Sequence, residues 1–171
     1  MKQFDIIVIG MGPAGMAVTA MGAAMGLNVL SVEKHKVGGE CLNCGCIPSK
    51  ALLHVARFLA EARQAPDWGV DVSPKVNIDR LRRWKDSVVD KLTGGLVHIR
   101  KKRRVKFVHG RARLAGPHAV VVDKAAGGQD RLDFDFAILA TGSSPARLAG
   151  LPDDPRIMDS DAALTLPDVP G

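Results

Sequence analysis

The chain has 171 residues, 46% of them apolar, enough for one domain, or one and a fraction, around a real core. Its 24 Lys and Arg against 18 Asp and Glu leave it moderately basic, and much of the excess sits in one run, Arg100–Arg104, with no interleaved aromatics; that composition reads as a solvated helix end and argues against a nucleic-acid surface. Three cysteines are an odd, sparse count, which argues against a secreted disulfide framework and for a reducing, cytoplasmic setting.

Phe4–Leu30 is apolar, with Asp5 its only charge, and superficially resembles a signal or membrane segment. Gly10, Gly12, Pro13, Gly15, Gly22 and Gly26 interrupt it, and only Lys2 supplies a positive leading region. The pattern predicts a buried strand at FDIIVIG, a small-residue helix over 13–25 ended by Gly26, and a second buried strand at LNVLSVE. A cysteine-bearing loop follows, then a helix from Pro48 to about Gln64, since proline suits a first turn. Residues 65–76 read as a loop. Asn77 can cap a long helix carrying Ile78, Leu81, Val88, Leu92 and Ile99 at near-helical spacing, with Gly94-Gly95 expected to weaken or bend it. VKFVHG, ARLAG and AVVVDK look like a small antiparallel layer, and FAILA, closing the run from Arg131, returns to the parallel sheet. The last stretch, from Ser143, holds five prolines and reads as a loop leading elsewhere.

Gly10-x-Gly12-x-x-Gly15 follows a strand and opens a helix, and Glu33 ends the next strand eighteen residues after Gly15. In that context the glycines have separate tasks. Gly10 permits the tight turn, Gly12 leaves room for a pyrophosphate, and Gly15 lets helix and strand pack. The N–H groups and dipole of the helix start suit a diphosphate, and a carboxylate at Glu33 can accept from a ribose 2′-hydroxyl. Spacing alone does not separate FAD from NAD.

All three cysteines fall between Cys41 and Cys46. A metal knuckle, with His35 or His54 as fourth ligand, is cramped and lacks a second Cys pair. As a staple the loop is too small to stabilise much. In a regular helix Cys41 and Cys46 would have Cα atoms about 8.6 Å apart, beyond the roughly 7 Å that a disulfide tolerates. A bond between them therefore requires a distorted segment, which Gly45 and Pro48 make credible, and such a bond is a reducible one. Cys46 falls at a helix start, a position that favours thiolate. Cys44 reads as a small apolar filler. A labile pair beside a dinucleotide loop suggests electron transfer.

The thirteen residues Gly38–Lys50, GGECLNCGCIPSK, fill every fixed position of the marker G-G-x-C-x-N-x-G-C-x-P-S-K, and the chain resembles the flavoprotein disulfide reductases of the pyridine nucleotide-disulfide oxidoreductase family. ALLHVA, WKDSVVDKLTGGL, VKFVHG and DPRIMDSDAAL are similar to the dihydrolipoamide dehydrogenase branch. The resemblance implies an α/β, Rossmann-like FAD-binding domain with a parallel sheet, flanking helices and a small antiparallel insertion. It implies Cys41 as the interchange thiol, Cys46 as the charge-transfer thiol against the flavin, and Lys50 beside the flavin N5 edge. Glu33 would hold the FAD ribose, Ala112 would meet adenine through its backbone, and Thr141 and Gly142 would form a second flavin-contacting turn. Pro13, Ala14, Lys34, Gly38, Gly39, Glu40 and Ser143 complete the cofactor contacts implied alongside Gly10, Gly12 and Gly15. No metal is implied. The partners implied are NAD, lipoyl groups of 2-oxoacid dehydrogenase complexes and a second copy of the enzyme, with no nucleic acid and no membrane.

Two positions depart from the pattern. Cys44 stands where the family has an apolar Val, and the Glu33–Gly38 interval is one residue shorter than in many lipoamide enzymes, closer to glutathione or mercuric reductases. Those reductases are the enzymatic alternative; a standalone flavin- or zinc-binding module is the non-enzymatic one. Family members are far longer. Residues 1–145 are thus expected to be the FAD-binding part and 146–171 a linker toward an NAD-binding domain, with LPDVPG at its entry. By itself the segment is expected not to turn over NAD⁺ and to hold FAD weakly.

Overall fold

The computed structural model describes residues 3–146 and 148–168. Lys2 and the last three residues of LPDVPG lie outside them. Among the described residues, five strands and five α-helices follow in the order β1 (Gln3–Ile9), α1 (Pro13–Ala24), β2 (Val29–Glu33), α2 (Gly39–Cys44), α3 (Cys46–Gln64), α4 (Ile78–Lys102), β3 (Lys106–Gly116), β4 (Ala119–Lys124), β5 (Gln129–Leu139) and α5 (Ser160–Thr165), with a 3₁₀ turn at Ala65–Trp68 opening the expected 65–76 loop. The chain divides into two compact units, Met1–Cys41 with Leu92–Ser143, and Leu42–Lys91 with Ser144–Gly171.

The first unit holds the sheet. β1 pairs in parallel with β2 and with β5, and β2 pairs in parallel with the start of β3, from Leu30↔Lys106 to Glu33↔His109. β3 then continues past Gly110 and pairs antiparallel with β4, which in turn pairs with the first part of β5. The five strands thereby close into a ring. Phe4, Ile7, Leu30, Val32, Val120, Val122, Leu132 and Phe134 form its interior, each buried. Ile6, Val8 and Val29 join Val18 and Ala23 of α1 in a second cluster; relative to Ile7 and Leu30 they show the alternation of faces that a pleated strand imposes. All five residues of β2 are buried, the pattern of a strand covered on both faces.

VKFVHG and ARLAG are therefore not two strands of an antiparallel layer. They are one eleven-residue strand that changes partner midway. Gly110, which punctuates the sequence like a terminator, is needed inside the strand: a Cβ there would lie 2.3 Å from the Asp123 carbonyl oxygen. α1 ends as expected, with Gly26 left-handed at φ +82°. Of the basic run, Arg103 donates to the Ala20 carbonyl at 2.5 Å and Arg100 stacks over the Phe107 ring at 4.3 Å, so part of it packs rather than solvates.

In the second unit Asn77 caps α4, its Oδ1 accepting from Arg80 N at 2.9 Å. α4 runs without a break through Gly94-Gly95, and Leu92 and Ile99 remain exposed; the buried α4 residues are Lys85 and Val89. Lys85 Nζ donates to the Leu164 carbonyl at 2.8 Å, and Arg82 donates to the Leu166 and Pro167 carbonyls. These cations satisfy the C-terminal carbonyls of α5, a helix the proline-rich sequence did not announce. Among the described residues, no helix is long and apolar enough to cross a membrane.

Candidate active site

Parallel strands bring their C-terminal ends to the same edge, and in the first unit the loops after β1, β2 and β5 meet there. Gly10 N donates to the Val32 carbonyl at 2.8 Å, and Ala140 N to the Ile9 carbonyl at 2.8 Å. Gly10 is left-handed at φ +99°, and a Cβ on it would lie 2.2 Å from the Ala140 carbonyl oxygen. A Cβ on Gly15 would lie 1.9 Å from the Gly10 carbonyl oxygen. The chain itself demands both glycines, whatever binds.

Gly12 differs. Its φ of −71° suits any residue, and the nearest atom to a Cβ would be Gly39 Cα at 3.8 Å. Gly12 precedes α1 with no side-chain cap, Pro13 and Ala14 follow, and the first turn has no acidic residue. The helix start therefore presents backbone donors and its positive end beside an open cradle, the arrangement that receives phosphate.

Glu33 closes the second side. It is only 8% exposed; its Oε2 accepts from Met11 N and its Oε1 from His35 N, each at 2.8 Å. The carboxylate thus ties the loop after β1 to the loop after β2, while each oxygen keeps a further lone pair. Gly38 N donates to the Met11 carbonyl at 2.8 Å, and Gly39, at φ +58°, comes so near that a Cβ would lie 2.6 Å from Gly12 Cα. On the third side Ser143 Oγ lies 3.2 Å from Glu40 Oε2, linking the Thr141-Gly142-Ser143 turn to the first turn of α2. Cys41, half-buried, follows Glu40 on that helix. Lys34 is exposed and its carbonyl sits 3.2 Å from His109 Nε2. Ala112 lies three residues past His109, on the β4-paired part of β3, half-buried against the ring interior.

The second unit carries Cys46 and Lys50. Both are exposed on α3, one turn apart and hence on the same face. Cys46 is the first residue of α3, so the helix starts two residues before Pro48. Gly45 caps it at φ −140°, ψ −107°, outside helical values. The chain therefore breaks between α2 and α3 where the cysteine spacing requires distortion. Each cysteine is a thiol in this structure. Among the described residues, no group of three or more His, Cys, Asp or Glu is placed to hold a metal.

The family described as pyridine nucleotide-disulphide oxidoreductase matches residues 4–170. The chain belongs to that family. Relatives within reach are a dihydrolipoyl dehydrogenase of Vibrio cholerae, 44% identical over 98% of this chain and 36% of the relative, and one of Haemophilus influenzae, 45% identical over 97% and 35%. A Thermus scotoductus dihydrolipoyl dehydrogenase is 42% identical over 96% of this chain and 34% of its own length. The chain thus spans about a third of these relatives. Pyridine nucleotide-disulphide oxidoreductases of this kind use FAD together with NAD.

Within this member of the family, sequence reasoning missed Met11, His35, His109, Gly110 and Ala140. Met11, His35 and Ala140 act through backbone atoms, which leave no residue-type signature. Gly110 could have been read as a mid-strand glycine, because apolar β runs flank it on both sides.

Proposed function

We propose that this chain is the FAD-binding, dithiol-bearing part of a dihydrolipoamide dehydrogenase, with residues 1–145 as the FAD-binding domain and 146–171 as the linker toward an NAD-binding domain. The observation that carries the reading is the open space at Gly12 beside an uncapped helix start, which a side chain would fill and which suits a phosphate. Gly10, Gly12, Pro13, Ala14 and Gly15 would hold the diphosphate, and Glu33 and Lys34 the adenosine ribose end. Ala112 would meet the adenine. Gly38, Gly39, Glu40, Thr141, Gly142 and Ser143 would line the passage toward the dithiol.

The chemistry of the chain itself is thiol–disulfide exchange. With Cys41 and Cys46 disulfide-linked, one thiolate of dihydrolipoamide attacks Cys41 Sγ, and Cys46 leaves as thiolate. The second substrate thiolate attacks the substrate sulfur of the mixed disulfide and displaces Cys41. Substrate leaves as disulfide, two electrons richer chain sulfurs remain, and two protons are released or held at the thiols. Lys50, one turn on from Cys46 and on the same face of α3, would bring its side-chain nitrogen toward that sulfur. Bound FAD would accept the electron pair from the dithiol and deliver it as hydride to NAD⁺. The partners proposed are lipoyl groups of 2-oxoacid dehydrogenase complexes, in a homodimer.

The test is anaerobic. The 171-residue chain, oxidised and reconstituted with FAD, should bleach in the flavin bands on adding dihydrolipoamide and form no NADH when NAD⁺ follows. Cys41→Ser should slow bleaching at least a hundredfold while FAD stays bound. A chain that holds FAD but bleaches equally fast with glutathione would move the reading to a glutathione-type reductase, which the short Glu33–Gly38 interval resembles. A chain that takes up no FAD would remove the reading.

A further inference from the structure

We propose that Cys44 is a third working thiol, which exchanges with the Cys41–Cys46 disulfide to give a second oxidised isomer, Cys41–Cys44. The inference rests on the proposed redox pairing and goes beyond it. Cys41 and Cys44 belong to the same helix, α2, which runs to Cys44 and stops at Gly45. Residues three apart in a helix lie on one face with Cα atoms about 5 Å apart, inside the range of about 4.4–6.8 Å that disulfides span. Cys41–Cys46, by contrast, needs the chain broken, as it is at Gly45. Cys41 thus has one candidate partner set by the spacing within its own helix, Cys44, beside the Cys46 of the proposed pairing.

The step balances without an added oxidant. The Cys44 thiolate attacks Cys41 Sγ, an S–S bond forms between them, the Cys41–Cys46 bond breaks, and the electron pair leaves on Cys46. The proton lost from Cys44 is taken up at Cys46. One disulfide and one thiol precede the step and one of each follows it. The exchange parks the oxidised centre in an isomer whose Cys46 is a thiol, so its reach is the working state of the centre rather than the fold.

The chain oxidised with glutathione disulfide should be alkylated with N-ethylmaleimide without denaturant, digested with trypsin, and the 37–50 peptide sequenced by mass spectrometry. The label should divide between Cys44 and Cys46, with at least a tenth on Cys46. Label on Cys44 alone, or on Cys41, overturns the proposal. Cys44→Val separates the two readings: zero free thiols after oxidation supports the Cys41–Cys46 pairing itself, whereas two free thiols sinks that pairing and the exchange with it.

Discussion

Glu33 has two tasks, and the sequence displays one. Its position after β2 marks a ribose acceptor, but its buried carboxylate also accepts two backbone N–H groups, from Met11 and His35. Such bonds to a charged acceptor are worth roughly 1.5–3 kcal/mol each, and an unmet buried partner costs a similar amount. Glu33→Gln turns an N–H donor toward one of those amides. It should lower stability by about 2 kcal/mol in urea denaturation without any nucleotide present. An unchanged midpoint would make Glu33 a ligand contact alone. The three glycines were legible as a motif, but their separate roles were not. Gly10 and Gly15 are fixed by contacts to Ala140 and Gly10, partners distant in sequence or visible only as backbone. Gly12 alone is left to the ligand.

Elements defined by local punctuation were legible: β1, α1 and β2 from an apolar run cut by glycines, and α4 from Asn77. Others depend on partners far along the chain. β3 reads as two strands because Gly110 mimics a stop, whereas the strand passes through it and exchanges β2 for β4. Gly110→Ala should therefore cost about 3 kcal/mol, read as a lowered melting temperature, because the added methyl meets the Asp123 carbonyl in the ladder. α5 escaped notice because its six residues sit among prolines, and its C-terminal carbonyls are met by α4 cations. The antiparallel part of the ring also carries a pH signature. The Gln129 side chain, and then Arg113, hold the Asp123 carboxyl below the ordinary aspartate range. A lowered folded-state value adds stability above the unfolded-state value and loses it as pH falls through the folded one. Asp123→Asn should lower the urea midpoint slightly at neutral pH, leave it unchanged at the acid end, and so flatten the fall in stability below about pH 4. The effect is small, since the carboxylate is half-exposed and its partners are screened by solvent.

At the scale of the molecule, a sheet closed on itself fixes three loops at one edge, and at the start of α1 the contacts among those loops leave a space where Gly12 lacks a side chain. That edge gathers most of the residues the GxGxxG and GGxC patterns marked, while Cys46 and Lys50 lie on the helix of the second unit. The family follows from the match across residues 4–170, and the lipoamide reading follows from likeness to enzymes three times as long. The most direct measurement compares FAD titrations of the chain and of Gly12→Val, followed by flavin fluorescence, alongside melting temperatures without FAD. The variant should bind FAD at least a hundredfold more weakly and melt within about 2 °C of the parent, since its backbone angles are ordinary and its surroundings open. Equal affinities for FAD in the two proteins would show that the cradle at the start of α1 is not where the cofactor sits.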